Sequence, residues 1–383
     1  MAGFGFTEEQ EMFRREVQRF AQRELAPGAK ERAKKESISR EMVKKMADIG
    51  FLGLNAPEEY GGQAADFVTI GIAVEELSKV DLSVGILPLL NPIMSLALQE
   101  GTEEARQEWL PQFVKGDKLV CFAITEPECG SDAAAIQMKA IREQDYYIIN
   151  GEKTSITNGM NADAALIFAK TDVTAGARGV TTFIVPLDLP GITRSRFTDM
   201  GFIPLGRASI IMNDVKIPVK YRIGEEGKGF YLAMHGFDFM RVILGLAALG
   251  LAESSLEDAM EYAKQRKAFG QPIAKFEGVS FKIAEAATYI EAARLLCYRT
   301  LWLRDQGLPH TKEAAMCKWF APKVAVNAVH DALLIHGHLG YSEEYPIEQR
   351  LRDAIGFEMA DGTAEIMKLI IVRELLGREF LPY

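Results

Sequence analysis

The sequence predicts an α+β fold in three consecutive parts: helical, then β, then helical. Three observations carry that prediction. Residues 1–117 hold amphipathic helical runs, residues 118–225 hold short β-rich segments, and residues 226–383 return to long apolar helical stretches. A chain of 383 residues exceeds one ordinary core, so two or three domains are expected. The three spans give an N-terminal α-helical domain, a middle antiparallel β-domain and a C-terminal helical bundle domain.

In the first part, Thr7 is placed to cap a helix whose first turns carry Glu8, Glu9 and Glu11. The runs "ISREMVKKMADIGFLGL" (38–54) and "VTIGIAVEELSKV" (68–80) are amphipathic, and "NAPEEYGGQAAD" between them is a loop. In the second part, "KLVCFAIT", "YYIINGEKTSIT", "AALIFAKT", "GVTTFIVPL" and "SIIMNDVKIP" are separated by Gly, Asp, Asn and Pro. No helix-length segment alternates with them, which favours antiparallel pairing. In the third part, three long helical stretches precede a last helix over about 364–376. Their Ala, Leu, Met and Val content suits faces that bury one another and other subunits.

Composition excludes some classes. A net charge of −9, with no long basic cluster, argues against nucleic-acid binding. The N-terminal stretch has no apolar signal core, and no run of about 18 uninterrupted apolar residues suggests a membrane span. Cys121, Cys129, Cys297 and Cys317 lack metal-ligand spacing, so no metal is expected and a reduced, cytoplasmic setting fits. His336 and His338 in "HGHLG" are spaced by two, but no acidic or thiol partner has a recognisable spacing. The chain contains no G-x-S-x-G, P-loop or G-x-G-x-x-G.

The segment "CFAITEPECGSD" (121–132) is a strand opening into a polar, glycine-containing loop able to offer N–H and hydroxyl groups to a ligand. It resembles the T-E-P-x-x-G-S-D signature of the flavin-dependent acyl-CoA dehydrogenases. "NGEKTSITNG" (150–159) is similar to that family's N-G-x-K-x-W-I-T-N-G, and "FDFMR" (237–241) falls where the family grips coenzyme A. "RKAFGQPIAKFEGVSFK" (266–282), "HGHLGYSEEYPIEQRLRDA" (336–354) and "ADGTAEIMKLIIVREL" (360–375) resemble three further motifs in the family's order. The resemblance implies an acyl-CoA dehydrogenase-like fold ending in a four-helix bundle, a homotetramer, and FAD as cofactor. It also implies an acyl-CoA substrate and electron-transferring flavoprotein or another acceptor as partner.

The implied chemistry moves a proton from the carbon beside a thioester carbonyl to a carboxylate, and a hydride from the next carbon to flavin N5. Asp361 matches the family's glutamate base, and Gly362 the residue whose backbone lies by the thioester. Phe122, Ile124, Thr125, Ser155 and Thr157 match positions at the flavin ring, and Ser131 one near the phosphates and coenzyme. Arg266 and Phe269 match residues that reach a neighbouring subunit's flavin. Gly337, Thr363 and Glu365 complete the cofactor set, and Asp238 and Arg241 match residues holding the pantetheine and nucleotide ends of coenzyme A. The family's alternative base position is Met240, which cannot serve.

Several positions depart from the pattern. Asp361 is one methylene shorter than glutamate, about 1.5 Å of reach. The two acids have similar intrinsic pKa values, so reach is the larger change. Ser155 stands where the family has tryptophan, Leu334 where it has a glutamine, and His338 where it has a glycine. No Arg or Lys lies between Lys79 and Arg106, which disfavours acyl groups with a distal acid. Asn91 has two readings: an N-cap before Pro92, or an amide facing the acyl group. The shortened base and the apolar 80–106 wall lead to an expected cyclic, cyclohexanecarboxyl-like substrate. The alternatives are a flavin oxidase of the nitroalkane-oxidising type, or a non-redox lyase or assembly member of the family.

Overall fold

Thr7 begins the first helix as expected: its hydroxyl accepts from the Gln10 N–H and the Gln10 side chain bonds back to the Thr7 N–H. The computed structural model describes residues 5–382. The N-terminal helices are α1 (Glu8–Phe20), α2 (Ala29–Arg32), α3 (Arg40–Asp48), α4 (Phe67–Ser78), α5 (Leu82–Gly85), α6 (Leu87–Gln99) and α7 (Glu103–Val114). The helix expected over 38–54 stops at Asp48, because Gly50 turns left-handed at φ 85° and Phe51–Gly53 form a 3-10 turn. Asn91 and Pro92 lie inside α6 rather than at its start; the helix begins at Leu87, with Pro88 in its first turn.

The middle part has strands β1 (Val120–Ala123), β2 (Lys139–Glu143), β3 (Tyr146–Ile156), β4 (Ala164–Lys170), β5 (Val180–Pro186), β6 (Ile192–Arg196), β7 (Ala208–Pro218) and β8 (Arg222–Ile223). They form one sheet in the order β6-β7-β3-β2-β4-β5-β8, with β1 also beside β4. The expected purely antiparallel pairing needs correction. β1 runs parallel to β4, with Val120 opposite Ala164 and Ala123 opposite Ile167, and β2 meets β4 parallel at Lys139 and Lys170. Between β1 and β4 the chain passes through a loop, the β2–β3 hairpin and a further turn, a connection long enough for the two strands to run parallel. β4 is buried on both faces, which explains its continuous apolar run. Leu166 and Phe168 face the helical core, while Ala165, Ile167 and Ala169 face a separate β core.

The C-terminal part opens with α8 (Gly229–Gln265), followed by a short hairpin of β9 (Lys267–Ala268) and β10 (Gln271–Pro272). Then come α9 (Glu277–Asp305), α10 (Thr311–His336), α11 (His338–Tyr341), α12 (Ile347–Met359) and α13 (Ala364–Leu376). α10 packs against α8, α9, α12 and α13. Windows in 82–99 and in α8 are long and apolar enough to cross a membrane by composition, but 89% and 94% of those windows is buried within the protein. The fold is that of a helical domain, a β domain and a helical domain in series.

Candidate active site

The candidate corner begins where α12 ends. Asp361 takes a left-handed conformation (φ 53°), followed by Gly362 at φ 104°. A β-carbon at Gly362 would come within 2.5 Å of the Met367 methyl carbon, so only glycine fits without displacing that side chain. Thr363 then caps α13, its hydroxyl accepting from the Ile366 N–H at 3.5 Å. Non-glycine residues are rare at positive φ, and such strain clusters at functional sites.

The corner brings together residues far apart in sequence. Asp361 Oδ2 is shut off from solvent and has no hydrogen-bond partner among the described residues. Burial pushes the Asp361 carboxyl up from its ordinary value; the charge of Lys318, then that of Arg241, opposes the rise. Lys318, on α10, is fully buried, and its Nζ donates to the Phe357 carbonyl at 2.7 Å and the Gly362 carbonyl at 3.2 Å. Burial lowers the Lys318 ammonium to about 8, opposed by Asp361. Arg241, on α8, is lowered by burial, opposed by Asp238 and then Asp361. Arg241 Nε is likewise buried without a partner. Two orphaned polar atoms of opposite charge in one corner are the mark of a site built for a polar reactant.

Asp238 and Arg241 are 8% and 6% exposed and hold each other through Asp238 Oδ1 and Arg241 Nη1 at 3.0 Å. Asp238 Oδ2 also accepts from the Thr311 hydroxyl at 2.6 Å, and the Arg241 guanidinium lies 5.5 Å from the Phe237 ring centre. The charge of Asp361 also acts on Arg241, which places that guanidinium near the Asp361 corner. Asn91 Nδ2 donates to the Phe113 carbonyl at 2.9 Å, which ties α6 to α7.

A cavity of about 120 Å³ lies between α6, the sheet and α8. Ile93, Leu96, Phe122, Phe168, His235 and Gly236 are among its lining residues. Phe122 bridges Phe168 and Phe237 with ring centres 4.8 and 5.3 Å away.

At the end of the sheet, the Thr154 N–H donates to the Thr125 carbonyl at 2.9 Å, placing the 122–125 and 155–157 segments side by side. Ile124 is buried, Thr125 is half-buried, and Ser131, Ser155 and Thr157 are exposed. Beneath them Lys153 Nζ donates to Glu126 Oε1 at 2.7 Å and to the Ile124 carbonyl at 2.9 Å. The Ser155 hydroxyl accepts from Arg207, whose guanidinium covers the Phe197 ring at 4.2 Å. Arg266 is exposed and Phe269 is 96% exposed, both remote in sequence from this sheet end. Gly337, at φ 61°, ends α10, and Glu365 is exposed on the first turn of α13. His336 is a core histidine, its Nδ1 on the Ala332 carbonyl and its ring on Tyr262.

Sequence reasoning missed Lys318. It sits three or four residues from the buried Ala314, Ala315, Ala321 and Pro322, so it falls on the apolar stripe of its helix. A lysine in phase with such a stripe was the available signal.

Comparison with known proteins agrees with this geometry. The chain matches the N-terminal, middle and C-terminal domain models of acyl-CoA dehydrogenase over residues 7–117, 121–215 and 227–376. It is 40% identical over 378 residues to an acyl-CoA dehydrogenase of Bacillus subtilis, covering 97% of this chain and 99% of that one. The structure of butyryl-CoA dehydrogenase from Megasphaera elsdenii superposes with a TM-score of 0.94 at 37% identity, over 98% of this chain and 100% of that one. A chain from a study of the electron transferring flavoprotein of Acidaminococcus fermentans superposes at 0.95 and 39% identity, with 98% and 100% covered. The chain belongs to the acyl-CoA dehydrogenase family. It is an oxidoreductase, and FAD is its cofactor. The exposed hydroxyls at the sheet end, set beside the aromatic Phe122, suit a flavin's polar edge and apolar ring.

Proposed function

We propose that the protein dehydrogenates a short, compact acyl-CoA thioester, with Asp361 taking the proton from the carbon beside the thioester carbonyl. The observation that carries this reading is the buried, unpartnered Asp361 Oδ2, its carboxyl raised by burial and flanked by Lys318 and Arg241. A base is most effective when its pKa approaches the working pH, and burial moves Asp361 in that direction. Gly362 gives the turn the positive φ that follows Asp361, and the cavity lined by Ile93, Leu96, Phe122 and Phe168 is assigned to a small acyl group. Bound FAD supplies the hydride acceptor. Phe122, Ile124, Thr125, Ser131, Ser155 and Thr157 are assigned to its ring and phosphates. Gly337, Thr363, Glu365 and a neighbouring subunit's Arg266 and Phe269 take the rest. Asp238 orients Arg241 beside the substrate.

The domain limits proposed are 1–117, 118–225 and 226–383. The acceptor proposed is electron-transferring flavoprotein, and the setting cytoplasmic. A homotetramer is favoured by apolar side chains left exposed on the C-terminal domain, including Phe269, Phe281, Tyr289, Leu375 and Leu376. Relatives offer no support for the alicyclic substrate suggested by the shortened base, and the butyryl-CoA dehydrogenase neighbour favours a short straight chain. Steady-state rates across straight, branched and alicyclic thioesters decide between them. Fastest turnover of a four-carbon chain supports the reading, and preference for a ring or a long chain overturns it. The oxidase and non-redox alternatives are not favoured by the relatives.

A further inference from the structure

We propose that Lys318 is a positioning residue for Asp361: its ammonium clamps the catalytic turn from both sides and its charge keeps the carboxylate ionised. The proposal rests on Asp361 being the base.

Three features of the corner lead here. First, α12 stops at Met359, so its last carbonyls lack helical donors. Phe357 O would bond the residue 361 N–H in a continuing helix, but Asp361 has turned left-handed. Lys318 Nζ takes that carbonyl at 2.7 Å and the Gly362 carbonyl at 3.2 Å. One ammonium thus spans the whole segment from the end of α12 to the far side of Asp361. A cation at a helix C-terminus also suits the helix dipole.

Second, the clamp leaves the base free. Lys318 uses two of its three donors on carbonyls, while Asp361 Oδ2 accepts from nothing. Lys318 acts on Asp361 through its field, not by a bond that would occupy the oxygen needed for the proton. Third, the lysine's location gives it no competing ionic partner at hydrogen-bond distance. The charged groups around it are Asp361 on the turn, Arg241 on α8 and Glu358 on α12. Behind Arg241 stand Asp238 and, on α13, Arg373. From α9 the neighbouring Cys317 meets Thr300, an uncharged group.

The signs follow. Asp361 is raised by burial and held back by Lys318, so removing the ammonium moves its titration to higher pH. Burial brings Lys318 itself to about 8, so its field fades above that pH, while the neutral amine can still donate to the two carbonyls. The wild-type rate of flavin reduction by acyl-CoA is therefore bounded by a lower limb from Asp361 and an upper limb from Lys318.

The test measures anaerobic flavin reduction by butyryl-CoA against pH in the FAD-loaded wild type, Lys318→Met, Lys318→Arg and Asp361→Asn. FAD content and thermal melting are recorded beside each profile. The proposal expects Lys318→Met to move the lower limb up by about one unit or more and to abolish the upper limb, with kcat affected more than KM. It expects Lys318→Arg to keep the lower limb in place and lose the upper one, since arginine does not titrate there. A Lys318→Met profile with both limbs at wild-type pH, beside lowered melting, overturns the proposal and leaves only a structural role. If the Met variant does not fold, an upper limb retained by Lys318→Arg at the wild-type pH overturns it equally. Failure of the base assignment has a separate signature: Asp361→Asn would reduce its flavin at the wild-type rate.

Discussion

Two fully buried lysines divide the labour of holding and reacting. Lys153 lies under the sheet end and Lys318 in the helical bundle, and burial lowers both to about 8. Lys153 is closed: its ammonium meets Glu126 Oε1, and the same carboxylate also accepts the Gln137 and Met138 N–H groups. Every charge there is matched, and the result is a fixed loop. Lys318 is open. It bonds carbonyls, and the carboxylate it stabilises keeps an unpartnered oxygen. The same side chain at the same depth builds a scaffold where its acid is satisfied, and a reactive site where its acid is left waiting.

The largest effect separates the two acids. Asp361→Asn should slow anaerobic flavin reduction about 1000-fold, within the range for loss of a general base. Glu126→Gln should lower melting while each folded molecule keeps a near wild-type rate. Equal losses of rate in both variants would erase the distinction. Next is Lys153→Met, which strands a buried carboxylate and should cost about 3–5 kcal/mol of stability in urea unfolding. Its folded fraction should retain the wild-type pH profile.

The comparison also shows what the sequence could reveal. The α, β, α order was legible because helix and strand periods differ. The capping of α1, the long α8 and the limits of α13 followed from local signals. The parallel pairing of β1 with β4 was not legible, because it depends on where the chain returns after the intervening β2–β3 hairpin. Asp361 stood out through its motif, but its company did not. Lys318 is 43 positions earlier in the numbering and Arg241 lies on another helix, and only packing joins them. Asn91 misled because Asn-Pro commonly starts a helix, whereas here α6 had already begun at Leu87. The pairing of Arg241 with Asp238, three residues apart on α8, is a local contact that the sequence spacing allows.

Two smaller effects sharpen the contrast. Gly362→Ala forces a side chain to φ 104° against Met367, at about 1–3 kcal/mol, and should shift the turn that Lys318 clamps. Denaturant unfolding checks the first part, and a rate loss exceeding that of any Lys153 variant checks the second. The smallest effect concerns stability. The Asp361 carboxyl is raised above its ordinary 3.8, so its ionised form costs native stability above the folded-state pKa, and that cost vanishes below the unfolded value. Asp361→Asn should therefore melt at or above the wild type at neutral pH, with the gap closing on acidification toward 3.8. A neutral-pH melt below the wild type would show the carboxylate to be structurally satisfied after all.

The central claim is that Asp361 removes the proton beside the thioester carbonyl. Exchange of that hydrogen in deuterium oxide reads the step directly. Butyryl-CoA is incubated anaerobically with FAD-loaded enzyme, and deuterium at that carbon is followed by mass spectrometry. The wild type should incorporate deuterium, and Asp361→Asn, with FAD bound, should do so about 1000-fold more slowly. Exchange by the Asn variant at the wild-type rate would contradict the account.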